Sequence, residues 1–411
     1  MTTTVRTSVL EVYIHDGEDW QYDASVYAVS CSFGFDQRYA EATVRRTGGG
    51  VVGINYWSPI EIRLGCTPGA GAASRFKGYI IPVENTLYPV DSVLTCKGVL
   101  YRAEFVRNTQ PGGTLMAPPA TGKPDEEQVR EILTACGVDL PVPANIGGTG
   151  KALGSEVLDP EQALAPSPFT WGEGQAGLDY IEALDAVSVP DDALGRYRTF
   201  ESLGGEVYRI PLVTVPAGAP DFSFAEGVDV LEARIGRDPA GAANLVTVTG
   251  APNPGRGLVA VDTDVTIAWT ARFTAGTGFA PYLPPGLPVP PGTVSEADPE
   301  GFPAVTAAFS SQMIEKSTVA ETDPLTGLPL GDVLACEAVA QFLLGEYNTV
   351  LDTLEFSTPR DDLLGPGQTI HLTSERLALT DPDRHYWLQH LEITLDERGA
   401  FTQRLRCLRR S

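Results

Sequence analysis

Hydrophobic and polar residues alternate in short runs at both ends of the chain, with a helical period between them. In Ser58–Gly65, Ile60, Ile62 and Leu64 alternate with Glu61 and Arg63, the pattern of a half-buried strand. Residues 76–106 add two or three more strands, through Phe76–Ile81 and Val99–Val106. Asp16–Gly17, Gly48–Gly50 and Pro68–Gly69 supply turns. Residues 1–112 therefore read as a small antiparallel barrel or sandwich.

After a Thr109–Gly113 linker the period changes. Over 124–137, Pro124 stands at a first helical position, acids fill the first turn and Gly137 stands at the end. Val129, Ile132, Leu133 and Cys136 share one face of this helix. A second helix is predicted over 175–187, with Leu178, Ile181 and Leu184 on one side. A hairpin follows, from Tyr197–Phe200 through Gly204–Gly205 to Glu206–Ile210. Residues 113–222 thus read as a small α+β unit.

From 223 the strand pattern returns, most cleanly at Val265, Ile267, Trp269, Ala271 and Phe273. The segment 281–303, with Pro284, Pro285, Pro288, Pro290 and Pro291, predicts an extended polyproline-like excursion. Val333, Cys336, Ala340 and Leu343 predict a third helix over 332–344, capped by Asp332 and stopped by Gly345. At the end Leu391, Ile393 and Leu395 run out, Asp396–Gly399 turns, and Phe401, Gln403, Leu405 and Cys407 run back. The whole is α+β and mainly β, with outer β units at 1–112 and 223–411.

The 411 residues suffice for two or three domains, and 43 glycines with 33 prolines fit a turn-rich protein. A formal net charge of −24 argues against sequence-reading contacts with nucleic acid, which need cations on phosphates. The same charge opposes binding to an anionic membrane surface. No apolar run reaches the length of a membrane helix, and no signal core precedes Glu11, so a soluble, cytoplasmically made protein is expected. Cys31, Cys66, Cys96, Cys136, Cys336 and Cys407 form no CxxC pair. Their spacing excludes the usual zinc patterns and predicts buried, reduced thiols instead of a disulfide framework.

Little in the sequence points to catalysis. Asn145–Ala152 resembles a phosphate loop, but it lacks the first glycine and the hydroxyl that would ligate magnesium. Neither HExxH nor GxSxG occurs. The histidines are His15, His371, His385 and His390, and an odd separation on a strand would put the last two on opposite faces. Asp381–Asp383 and His15–Asp19 read as turns before calcium loops. Trp171, Trp269 and Trp387 read as core residues before sugar platforms, and Arg404, Arg406, Arg409 and Arg410 as surface residues before an anion site. No catalytic, cofactor-binding or metal-binding residue is nominated.

The order of these units resembles the baseplate or tail-hub proteins of tailed bacteriophages and related contractile injection systems. The resemblance is carried by Ile60–Gly65 with Phe76–Ile80, the helix ending Ile132–Gly137, Trp171 with the helix through Leu178–Leu184, and Gly204–Gly205. It continues through Leu231–Ile235, Asn244–Gly250, the 332–344 helix, Leu363–Ile370, and the closing pair His390–Ile393 and Gly399–Leu405. It implies two tube-like antiparallel β-barrel domains with the α+β unit between them. It also implies a non-enzymatic homotrimer, a ring that joins a sixfold tail tube or distal tail ring to a threefold spike, fibre or tip protein. Tape measure protein and DNA would pass through the lumen without sequence-specific binding, at the tip of a virion tail assembled in the host cytoplasm. The acidic charge would then line the channel or serve solubility. The alternatives are a hexameric distal tail protein, a carbohydrate-binding adhesin and a wall-degrading enzyme.

Overall fold

The computed structural model of the chain describes residues 8–47, 56–65, 72–86, 91–115, 125–138, 170–187, 195–213, 218–238, 245–251, 268–272, 306–315, 343 and 351–410. Seven strands form its first unit: β1 (Val9–His15), β2 (Trp20–Tyr22), β3 (Val26–Gly34), β4 (Glu41–Thr47), β5 (Pro59–Gly65), β6 (Ala73–Thr86) and β7 (Asp91–Gly98). The alternation at 58–65 is realised, with Ile60, Ile62 and Leu64 buried in β5. The expected strand at Val99–Val106 is not formed, because Tyr101–Phe105 is a short helix, α1. Leu100 and Ala103, three residues apart, are both fully buried, so the segment buries one helical face instead of alternate residues.

In the middle unit β8 (Thr114–Leu115) pairs with β9 (Thr170–Trp171). The helices α2 (Asp125–Ala135) and α3 (Gly177–Val187) stand where the apolar spacing put them, and they bury Val129, Ile132, Leu133, Leu178, Ile181 and Leu184. The hairpin is β10 (Gly195–Glu201) and β11 (Val207–Val213). Gly204 and Gly205 take φ of 68° and 77° at its tip, a left-handed conformation open to glycine at little cost.

The last unit holds β12 (Phe222–Ala225), β13 (Glu232–Asp238), β14 (Leu245–Ala251), β15 (Ala268–Arg272), β16 (Thr306–Glu315), β17 (Leu351–Thr358), β18 (Thr369–Thr373), β19 (His385–Leu395) and β20 (Phe401–Arg410). β14 lies between β15 and β16 in a sheet of their own, and Trp269 falls on β15. Val265, Ile267, Phe273, the proline-dense 281–303 segment and nearly all of the 332–344 helix lie outside the described residues, as does Asn145–Ala152. Leu343 is described, helical and buried.

Thirteen strands share one sheet, in the order β13-β17-β20-β19-β3-β4-β7-β6-β5-β1-β2, with β18 and β12 branching from β19. Strands from the early and late parts of the chain are joined through the antiparallel pair β3–β19, where Phe33 faces Leu391, Cys31 faces Ile393 and Val29 faces Leu395. These side chains enter one core with Ile60, Ile62, Phe76, Leu354, Phe356 and Leu405. Among the described residues the strand path stays open, with β13 and β2 at its ends.

Close backbone approach fixes one position in this sheet. A Cβ on Gly78 of β6 would stand 2.1 Å from the Lys97 carbonyl oxygen and 2.9 Å from the Gly98 Cα. Gly78→Ala is therefore expected to cost about 1–3 kcal/mol through overpacking. The check is urea unfolding, with a lower midpoint at unchanged m.

Candidate functional site

The residues that invited a chemical reading do not converge. His15 accepts from Gly17 N within a turn, and Asp16 Oδ1 accepts from the backbone N–H groups of Glu18 and Asp19. Asp381 Oδ1 accepts from Asp383 N at 3.0 Å in the same manner. Asp16 and Asp381 thus each spend a carboxylate oxygen on a local turn. Trp171 and Trp387 are buried, and Trp171 Nε1 donates to the Gln175 carbonyl at 3.0 Å. No three His, Cys, Asp or Glu side chains among the described residues stand close enough to share a metal ion.

The parity argument for the histidines fails. A bulge between Leu388 and His390 adds a residue to β19, so odd separation no longer means opposite faces. His385 lies edge-on to His371, with ring centroids 5.7 Å apart, whereas His390 faces Asp36. Burial opposes ionisation of Asp36, but the His390 hydrogen bond and charge hold its carboxyl below the usual range. Arg404 and Arg406 reach Glu355 at 3.7 and 3.9 Å, and Arg406 reaches Asp36 at 3.6 Å. These arginines compensate acids on the sheet face.

Cys31, Cys96, Cys136 and Cys407 are free and buried, as expected. Burial pushes the Cys31 thiol up to about 12 and the Cys136 thiol up to about 11, so neither supplies a thiolate near neutral pH. Alkylation of the native protein at pH 8, read by peptide mass spectrometry, is expected to leave all four unlabelled until denaturant is added.

What the fold does bring together is a set of charged attachments between separate elements, most of them between units. Arg75 of β6 is 1 % exposed and holds Asp361 at 2.5 Å and the Asp362 carbonyl at 3.0 Å, tying the first unit to the last. Arg38, after β3, grips Glu104 at 2.6 Å, Asp179 at 2.5 Å and Glu182 at 2.8 Å, tying the first unit to α3. Arg209 Nε donates to Asp185 Oδ1 at 2.8 Å and fixes β11 to α3. Glu201, at the end of β10, inserts its carboxylate against the β7–α1 junction. Nothing in the sequence marks these residues, since each reads as an ordinary polar position in a strand, turn or helix.

The surface adds exposed aromatic and aliphatic groups. Trp20 and Tyr22 lie on β2, at one end of the strand path, while Val228 and Leu231 precede β13 at the other. Trp57 takes a φ of 70°, a strained conformation for a bulky residue. It is held by its N–H donating to the Ile80 carbonyl at 2.8 Å and by stacking on Tyr101 with centroids 5.5 Å apart. Beside it Phe105 and Tyr56 stand exposed.

In fold the chain is similar to solved tail proteins. The chain matches the 43 kDa tail protein of prophage MuSo2 from Shewanella oneidensis over 98 % of each chain, at 10 % identity and a TM-score of 0.54. It matches a tail protein from Neisseria meningitidis MC58 over 98 % of this chain and 96 % of that one, at 9 % identity and a TM-score of 0.53. No family model matches the chain, and no curated protein matches it in sequence. At such identities the likeness is one of fold, and at that level the resemblance to phage tail proteins read in the sequence is borne out.

Proposed function

We propose that the protein is a structural, non-enzymatic component of a phage-type tail, a tail-tip or baseplate hub. In this reading the chain contributes two tube-like barrels, one from each outer unit, and three copies close a ring. The ring joins a sixfold tail tube to a threefold spike, fibre or tip protein and lines the passage for tape measure protein and DNA. The observation that carries the reading is the likeness in fold to the MuSo2 tail protein over 98 % of both chains. We assign subunit contacts to the two ends of the strand path, where Trp20 and Tyr22 stand exposed on one side and Leu231 on the other.

The test is mass by light scattering with negative-stain imaging of the purified protein. A trimeric ring with a central channel is the expected result. A hexameric ring would move the assignment to a distal tail ring protein. A stable monomer that stays monomeric when mixed with its tail-tube and spike partners would overturn it.

A further inference from the structure

Aromatic rings from four separate elements meet on the surface beside α1. Trp57, in the turn before β5, stacks on Tyr101 of α1 with centroids 5.5 Å apart and meets Phe105 of α1 edge-on at 4.9 Å. Tyr79 of β6 lies against the indole at 5.6 Å, and Tyr39, between β3 and β4, meets Tyr101 edge to face at 5.0 Å. No ring of this cluster is buried. Phe105 is 62 % exposed, the other four are half-buried, and the neighbouring Tyr56 is 73 % exposed. Two hydrogen bonds to Ile80 of β6 pin the turn, from Trp57 N to its carbonyl at 2.8 Å and from its own N to the Ser58 carbonyl at 3.0 Å. The strained backbone of Trp57 is thus held rigidly at the surface without completing a core, which points to recognition.

The sequence contains a ligand of the chemistry that such a surface takes. Rows of exposed aromatic rings bind proline-rich strands, whose polyproline conformation costs little entropy to hold. Pro285, Pro288 and Pro291 recur at every third residue, so they share one edge of a polyproline helix, and Pro281 and Pro284 extend the tract upstream. Prolines on such an edge recur at about 9 Å, and two ring steps along Phe105, Trp57 and Tyr101 cover at most about 10 Å. Charge is complementary as well. Glu296, Asp298 and Glu300 follow the tract. On the rim of the cluster the Arg102 guanidinium lies 5.6 Å from the Tyr79 centroid, and the Lys97 ammonium, which pairs with Glu41, lies 5.1 Å from that of Tyr39. The nearby Glu104 is neutralised by Arg38.

The tract can reach the cluster within one chain. Arg272 at the end of β15 and Thr306 at the start of β16 both lie beside Leu245 of β14. β16 packs on α3, and α3 packs on α1. Fully extended, the chain from Arg272 to Pro281 spans about 30 Å and that from Pro291 to Thr306 about 50 Å. Each helix to be crossed is about 10 Å wide.

We propose that the Trp57, Tyr101 and Phe105 cluster is a polyproline-binding surface whose occupant is this chain's own Pro281–Pro291 tract, docked within the same molecule. A short tether supplies an effective concentration of about millimolar, so modest intrinsic affinity fills the site. The proposal stands on the ring geometry and the proline spacing and does not depend on the tail assignment.

The experiment installs the photo-crosslinker p-benzoylphenylalanine in the full chain at Tyr56, and in a second preparation at Phe105. Light and heavy-nitrogen chains are mixed in equal amounts, irradiated at low concentration and mapped by peptide mass spectrometry. The expected result is an adduct to residues 281–292 in which both peptides carry the same isotope. Replacing Pro285, Pro288 and Pro291 together by Ser is expected to abolish that adduct, whereas Pro299→Ser, outside the tract, leaves it. Mixed-isotope adducts would put the tract of a second copy on the surface and overturn docking within one molecule. Adducts only to other segments, or none from either position, would overturn the assignment of the occupant, as would an undiminished adduct in the triple variant.

Discussion

Asp185→Ala is expected to lower the unfolding free energy by about 3–5 kcal/mol, the usual effect of removing one partner from a buried ion pair. The side chains of Arg209 and Asp185 are 0 % and 4 % exposed. Asp185 also accepts from Thr199 N at 2.6 Å, so its loss deprives a β10 donor as well as a guanidinium that lies 4.1 Å over the Tyr197 ring. Those two effects fall on α3, β10 and β11 together. The double variant Asp185→Leu/Arg209→Met is expected to recover most of the loss, because a well-packed apolar pair removes the desolvation problem. Urea unfolding followed by circular dichroism measures both. A single variant within 1 kcal/mol of wild type would show that the pair contributes little.

Asp361→Ala is expected to have an effect of similar size, about 3–5 kcal/mol, at a different place. Arg75 and Asp361 are 1 % and 9 % exposed. They link β6 of the first unit to the loop after β17 of the last. That loop is also held from β20, where Gln403 Nε2 donates to the carbonyls of Arg360 at 2.8 Å and Asp362 at 2.9 Å. Loss of the carboxylate should therefore loosen β6 and residues 359–364 without freeing β20. Hydrogen exchange resolved by peptide checks the location, and thermal unfolding checks the magnitude. Uniform loosening of the whole sheet would contradict a local tie.

Local elements were legible where one residue's neighbours in sequence are also its neighbours in space. The β19–β20 hairpin runs back through Asp396–Gly399 as the alternation predicts, with Leu395 opposite Phe401. The helices at 125–135 and 177–187 follow their apolar spacing. Val99–Val106 misled because its apolar residues suit either period, and burial of Leu100 and Ala103 decided for a helix. The β3–β19 pairing leaves no local trace, since its residues stand more than 350 apart and alternation carries no information about the partner. The attachments of Glu201 and Arg75 were hidden for the same reason. A polar residue on a strand reads as solvent-facing until another unit is seen to cover it.

The β3–β19 seam also sets an order of events during synthesis. β3 is complete by residue 34, but the strand that covers its edge begins only at His385. At roughly 5–20 residues per second that edge waits tens of seconds for its partner. Throughout that time the first unit exposes the donors and acceptors that will later bind β19. β19 and β20 thus act as a built-in timer, because the central sheet cannot be finished until residues 385–410 have left the ribosome.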